Sequence, residues 1–381
     1  MYGILHAHST FSLHDSGQSP LELVLKAKEL GVTNVTLTDH GTMLGLDDFM
    51  EAGKEHGINA IPGLETYLED RSHMLLVAKD LEGYKSISFA LRDANENQQK
   101  IRKLVYPKMK EETINKYLAY NEHIIVTSAC INGPLGKILL TRRRMELENE
   151  KKQKKAEMLK TMYIDWKQAC QEYQACVQEE KILKQEKKEF QTYTKASFLK
   201  KAKNDSNLMQ KFKLASSQIP KIELQLKEVA KLRKVAKQQV DKLKSKAMKY
   251  ESLIQEISSA SLPTEKELYQ IAFEKAKKYK DIFPYFYMEM QYHGIPEEKY
   301  VMEQLLCIAR ELNIPLIAAN DAHMASKGDE TIRQILRYNY FECHQDISDA
   351  DRELYVKSEK EMKISLSKIL PEDAVDEAIN N

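Results

Sequence analysis

The sequence predicts an α/β fold in which short strands alternate with amphipathic helices, interrupted by a long inserted helical arm. Three observations predict it. Seven short apolar runs rich in β-branched and aromatic residues punctuate the chain, with helix-periodic stretches between them. Glycine disappears from about residue 141 until Gly294, while lysine, glutamine and glutamate dominate. Six of the seven runs end in, or just before, a residue able to hold a metal ion.

The runs are residues 2–8 (YGILHAH), 34–40 (NVTLTDH), 59–67 (NAIPGLETY), 73–79 (HMLLVAK), 123–130 (HIIVTSAC), 285–293 (YFYMEMQYH) and 315–323 (PLIAANDAH). Stretches such as LELVLKAKELG at 21–31 and MEQLLCIARELN at 302–313 repeat apolar residues at helical spacing, the first closed by a C-capping glycine. Strand alternating with helix implies a parallel sheet, and a closed barrel is one of its stable forms. In such barrels the functional side chains converge at the carboxyl ends of the strands. His73 begins its run instead of ending it, and so fits this pattern less neatly.

The chain of 381 residues has the length of two or three average domains. Its five cysteines lack a framework spacing, which argues for a reducing compartment and against a secreted disulfide scaffold. No signal peptide and no run of eighteen apolar residues is visible, so a cytoplasmic protein without a membrane partner is expected. The net charge of +1 conceals a segregation. Residues 141–260 carry 29 Lys and Arg against 16 Asp and Glu, or +13, which leaves −12 on the remainder. A basic extension fits a polyanionic partner, and bound divalent cations would offset part of the acidic excess.

Within the basic stretch, apolar residues recur at Val229, Leu232, Ala236, Val240, Leu243, Ala247, Tyr250, Ile254 and Ile257, spaced mostly by threes and fours. An earlier seam runs through Leu159, Met162, Trp166, Ala169, Tyr173, Cys176, Leu183 and Phe190. Neither stripe is buried by one helix alone, so an antiparallel coiled-coil hairpin is expected, with its tip at KNDSN (203–207). Each leg would reach roughly 80 Å. Pro220 is expected to break or kink the returning leg. Three uses of the arm stay open: a solvated coiled coil, contact with nucleic acid, and either docking of a polymerase or another protein or self-association. Helical sequence resumes at Thr264, so the arm is an insertion: residues 1–140 and 262–381 form the body and 141–261 the arm.

The candidate ligands are His6, His8, Asp15, His40, Glu65, His73, Cys130, Asp321 and His323. In HAH the two imidazoles lie on one side of an extended segment, because side chains alternate with period two. Imidazoles, carboxylates and one thiolate suit zinc, manganese or iron, and nine ligands exceed the need of one ion. Carboxylates shared between ions allow two or three metals to lie close together. Such a cluster suits hydrolysis of a phosphate ester, in which a metal-bound hydroxide attacks while other ions neutralise the phosphate oxygens and leaving group. Asp39 reads as a structural residue or a supporter of a ligand, and His14 as exposed or supporting. GPLGK (133–137) lacks the spacing of a phosphate loop and reads as a turn into a helix.

The motifs HAHSTFSLHDS (6–16), LTDHGTMLG (37–45), IPGLETY (61–67), HMLLVAKDLEGY (73–84), VTSACINGPLGKILL (126–140), FYMEMQYHG (286–294), IPLIAANDAHM (314–324) and LYVKSEKEM (354–362) together resemble the PHP (polymerase and histidinol phosphatase) family. The likeness is closest to the PHP domain of bacterial DNA polymerase III alpha subunits. It covers the body and not the arm. It implies a distorted seven-stranded β/α barrel with a trinuclear site. His6, His8, Glu65 and Asp321 would hold one ion. Glu65 would bridge to a second, held by His73 and Cys130, and Asp15, His40 and His323 would serve a third. Cys130 matches the polymerase branch, which points away from histidinol phosphate. His293 and Glu289 are expected either to meet substrate or to pack at the barrel rim, and His56, His123 and His344 to lie outside the site.

The resulting expectation is a metal-dependent phosphoesterase acting on DNA or RNA, a 3′ to 5′ exonuclease linked to replication or repair. No trio of polymerase carboxylates is visible, so extension of DNA by this chain alone is not expected. The alternatives are a non-catalytic, metal-stabilised scaffold that docks a partner through the arm, and a small-molecule phosphatase for which the arm is dispensable.

Overall fold

The computed structural model describes residues 2–101, 104–341 and 347–381, and in it the apolar runs become a six-stranded sheet. Its strands are β1 (Asn34–Leu37), β2 (Asn59–Tyr67), β3 (His73–Ala78), β6 (Ile124–Thr127), β7 (Phe286–Met290) and β8 (Leu316–Ala318), in the order β1-β2-β3-β6-β7-β8. Between β3 and β6 in sequence, β4 (Gln99–Ile101) and β5 (Leu104–Tyr106) pair only with each other. The pairs β1–β2, β6–β7 and β7–β8 are parallel, whereas β3 runs antiparallel to both its neighbours. The sheet is therefore mixed, not parallel throughout as the strand and helix alternation predicts. The reversal also removes the anomaly of His73. It pairs with Tyr67, so the first residue of β3 lies where β2 ends.

Residues 2–8 do not form the expected seventh strand. Their hydrogen bonds are divided between two neighbours at single residues. Ile4 N donates to Asn34 O, Thr36 N to Ile4 O and Thr38 N to Ala7 O; on the other side His8 N donates to Ala322 O and Ala322 N to His6 O. The segment thus makes isolated bridges that link β1 to the residues following β8.

Period-two alternation sorts the strand side chains onto two faces. On β3, Met74, Leu76 and Ala78 join the main core with Leu64, Val126, Met288 and the helices, while Leu75 and Val77 join a second cluster with Ala129. Each of the Leu, Val and Met side chains among these contributes roughly 1.5–3 kcal/mol when fully buried. His73, Glu65 and Glu289 share the parity of this second face. Gly63 lets β1 and β2 approach, since a Cβ there would sit 2.7 Å from the methyls of both Thr36 and Thr38. Capping boxes start Pro20–Glu29 (Ser19 with Glu22) and Glu265–Ile282 (Thr264 with Glu267).

The chain divides into two compact units, Met1–Arg143 with Pro263–Asn381, and Arg144–Leu262. The second is built on the helices Thr141–Tyr193 and Ser206–Ser259, joined by the short helix Ala196–Ala202 and a turn whose Asp205 side chain accepts from Asn207 N and Leu208 N. Ion pairs and hydrogen bonds match Lys152 with Glu256, Tyr163 with Glu251, Glu180 with Arg233 and Lys187 with Glu223, so the two helices run in opposite directions. Leu183, Ile222 and Val229 form the apolar cluster between them. Leu232 and Ile254, expected in the seam, are instead 60% and 43% exposed, and Leu253 is buried. A 3.6-residue turn drifts against strict three and four spacing, so an adjacent residue takes over the seam. Pro220 does not break the returning helix, which continues from Ser206 to Ser259. Among the described residues, no helix is long and apolar enough to cross a membrane.

Candidate metal centre

The nine candidate ligands, although they come from six separate stretches of sequence, gather at one end of the sheet. His6 Nε2 lies 3.3 Å from Asp321 Oδ1 and 3.6 Å from Glu65 Oε1, and His8 Nε2 lies 3.1 Å from the same Asp321 oxygen and 3.5 Å from Glu65 Oε2. Glu65, fully buried, also meets His73 Nδ1 at 2.8 Å and His40 Nδ1 at 2.5 Å. Cys130 Sγ groups with Glu65 and His73 within 4.8 Å. Asp15 Oδ2 is 3.4 Å from both His40 Nε2 and His323 Nε2. The His8 ring stacks on those of His40 and His323, with centroids 4.1 and 4.4 Å apart.

Supporting residues aim these groups. Glu289 Oε1 lies 2.8 Å from His6 Nδ1, while Thr127 Oγ1 and Gln291 Nε2 donate to the Glu289 carboxylate. Ser12 Oγ donates to Asp39 Oδ1 and so accepts from His8 Nδ1, 3.0 Å away. Asp39 also accepts from Ser9 N and Ser9 Oγ, as expected of a residue that supports the ligands. His323 Nδ1 donates to the Asp321 carbonyl oxygen at 2.7 Å. In each case a proton on Nδ1 leaves Nε2 facing the cluster, where a bound cation would take its lone pair. Asp321 (φ 48°) and Ala129 (φ 55°), the latter beside Cys130, adopt the left-handed backbone conformation. Non-glycine residues hold it only where their surroundings enforce it.

The donor set fits divalent cations. His6 Nε2, His8 Nε2, His40 Nδ1, Glu65 Oε2, Asp321 Oδ1 and His323 Nε2 are all buried and make no directed hydrogen bond within the protein. Burial without a directed hydrogen bond is costly for each, and a cation would satisfy them together. The electrostatics agree. Burial opposes a charge on His6, but Asp321 and Glu289 outweigh it and hold the imidazole well above the usual histidine range. Burial likewise opposes a charge on His40, yet Glu65 and Asp15 raise it to about 10. Against burial, His73 and His40 hold Glu65 well below the carboxylate range, His6 and His323 do so for Asp321, and Arg333 and His323 for Asp15. Burial, then His40 and His323, push His8 down. Burial, then Asp321 and Glu65, push the Cys130 thiol up. Protons on His6 and His40 thus occupy the electrostatic place of cations, and a cation beside Cys130 is what favours the thiolate.

Of the two readings left open for Glu289 and His293, burial favours packing over contact with substrate. Glu289 is fully buried and orients His6, so it is not placed to meet substrate. His293 is buried too, with Nδ1 2.7 Å from Glu298 Oε1 and Nε2 2.8 Å from the Asn320 carbonyl oxygen, so both nitrogens are already engaged. It braces the residue preceding Asp321. His14 is half-buried beside the cluster, and His123 pairs with Asp80 on the surface. His56 lies in the last turn of Leu46–His56, and His344 lies outside the described residues. Residues 133–137 lead into the helix Pro134–Leu139, as the turn reading expects. Sequence reasoning passed over Ser12 and Arg333. Ser12 stands inside HSTFSLHD and shares its stretch with ligands, whereas nothing in the sequence marks Arg333, whose Nη2 is 2.9 Å from Asp15 Oδ1.

A mixed α/β sheet with a buried cluster of histidines, carboxylates and a cysteine at one end defines a class of protein whose side chains could hold divalent cations. Residues 5–183 match the PHP domain family, a span that holds seven of the nine candidate ligands, from His6 to Cys130, but neither Asp321 nor His323. The chain is similar to the DNA polymerase III subunit alpha of Borreliella burgdorferi, 32% identical over 157 residues, 38% of this chain and 13% of the relative. It is also similar to the DNA polymerase III subunit alpha of Campylobacter jejuni, 34% identical over 141 residues, 34% of this chain and 11% of the relative. The matched region therefore spans only about an eighth of these relatives. A solved metal-dependent phosphoesterase from Bifidobacterium adolescentis shares 30% identity over 25% of this chain and 33% of its own, with a TM-score of 0.21, an overlap too local to bear on the fold.

Proposed function

We propose that the chain is a metal-dependent phosphoesterase that degrades DNA or RNA from the 3′ end. The observation that carries this reading is the convergence of nine donors, six with buried atoms that make no directed hydrogen bond within the protein. Two to three divalent ions, zinc, manganese or iron, would be held as follows: one by His6, His8, Glu65 and Asp321, a second by Glu65, His73 and Cys130, and a third by Asp15, His40 and His323. Bound ions supply Lewis acidity and acidify water at the site. The remaining tasks fall to the chain's own residues. Glu289 and the Ser12–Asp39 pair fix the tautomers of His6 and His8, and the buried walls exclude bulk water from the cluster.

The same reading takes the isolated bridges of residues 2–8 to β1 and to the stretch after β8 as what closes a distorted barrel. It treats 141–261 as a coiled-coil hairpin inserted between body segments 1–140 and 262–381. Nucleic acid as substrate is supported by the +13 charge of the arm and by relatives named as DNA polymerase subunits. A polymerase or another protein bound by the arm would be compatible with this.

The test incubates metal-reconstituted protein with end-labelled single-stranded, duplex and mismatched DNA, beside a small phosphomonoester. A ladder shortening from the 3′ end is expected, and it should vanish on chelation and in His8→Ala. Turnover of the small ester alone would overturn the nucleic-acid reading. Stoichiometric metal without any hydrolysis would favour the scaffold alternative.

A further inference from the structure

Arg333, on the helix Glu330–Phe341, is 8% exposed and ion-paired to a candidate ligand. Its Nε and Nη2 lie 3.3 and 2.9 Å from Asp15 Oδ1, while the other Asp15 oxygen faces His40 and His323. Its Nη1, 3.4 Å from Asp351 Oδ1, is buried and makes no directed hydrogen bond. Among the described residues, no other Lys or Arg forms an ion pair with any of the nine ligands. An ion bound between Asp15, His40 and His323 would draw on the charge of Asp15 that now balances Arg333. The guanidinium would then be buried, only partly compensated, and beside a centre whose cations outweigh its ligands. A buried charge in that position calls for an anion, and a guanidinium fork matches two phosphate oxygens.

We infer that Arg333 is a phosphate contact of the metal-loaded site, held by Asp15 until a phosphoester arrives. This rests on the proposed phosphoesterase reading and extends it by naming the group that recognises the substrate anion. An alternative role, in which Arg333 only positions Asp15 for the third ion, predicts different behaviour.

The experiment uses the full chain loaded with manganese or zinc. It measures metal content after dialysis and the binding of inorganic phosphate by calorimetry, for the wild type, R333Q and R333K. R333Q should keep the wild-type metal content and bind phosphate about 10–100-fold more weakly, with R333K in between. R333K also serves if R333Q does not fold. Wild-type phosphate affinity in both variants overturns the inference. So does loss of one ion from R333Q with a matching loss of phosphate binding, which would make Arg333 a positioning residue. A wild type that binds phosphate but hydrolyses no ester would sink the phosphoesterase reading and leave this inference standing. Unchanged phosphate binding in R333Q, in a protein that does hydrolyse esters, would sink the inference alone.

Discussion

The body and the arm treat charge in opposite ways. In the body, Glu65, Glu289, Asp39, His6 and His8 are buried within one cluster, where each carboxylate meets several donors. In the arm, Glu180 is the one buried charged residue among those described, held between Lys184 and Arg233 at 2.6 Å each, while the lysines lie outside. Burying a charge costs several kcal/mol unless partners compensate it. The body concentrates that cost at one place, where a cation would relieve it. The arm avoids it almost everywhere, and its single buried carboxylate, Glu180, reaches across to Arg233 on the other long helix, where polar contacts fix the alignment of helices. Buried charge thus marks a site in one unit and a register in the other.

Glu65→Gln is the strongest way to break this contrast, since one carboxylate serves His6, His8, His40 and His73. It should lower hydrolysis more than about a hundredfold and remove bound metal, as measured by elemental analysis. Full metal retention would show that Glu65 is no ligand. Glu289→Gln should weaken metal affinity or activity about 10–100-fold, because only the orientation of His6 is lost. An effect confined to KM, with metal binding intact, would reinstate Glu289 as a substrate contact.

In the arm, changing Lys227, Lys231 and Lys234 to Gln should weaken binding of single-stranded nucleic acid and flatten its salt dependence by about 0.7 in slope per lost contact. Cleavage of a small phosphodiester should not change. An unaltered salt slope would mean that these lysines are only solvated. Val229→Asp places a carboxylate in the seam without a partner and should cost about 1–3 kcal/mol, read from thermal unfolding by circular dichroism. Metal content should stay constant.

The smallest effect is that of pH on the metal-free chain. His40 is raised from 6.5 to about 10 by Glu65 and Asp15. Its stabilising contribution is therefore complete below about pH 6.5 and is lost as pH rises through about 10. The chelated protein should lose melting temperature across that window, and the metal-loaded protein, whose proton is already displaced, should lose less. Parallel curves for the two forms would separate His40 from metal binding.

The gathering of the nine donors was legible because each lies at, or shortly after, an apolar run, where chain topology brings strand ends together. The place of His73 was not, because a run of alternating apolar residues does not encode its own direction. The burial of Glu289 and His293 depends on Thr127 and Glu298, partners that no spacing rule connects to them. Arg333 meets Asp15 across 318 residues, a relation that exists only in space. Leu232 shows the same limit in the arm: heptad spacing named the stripe but left its edge uncertain by one residue.

The bridge between residues 2–8 and the stretch after β8 also governs how the protein is made. Ser16 and His323, which share a hydrogen bond, are separated by 307 residues with the whole arm between them. Contacts of such high order form late in folding. At about 5–20 residues per second, the first histidines would wait roughly fifteen to sixty seconds for Asp321 and His323 to leave the ribosome. Throughout that interval the nascent chain would display an incomplete set of metal donors to the cell.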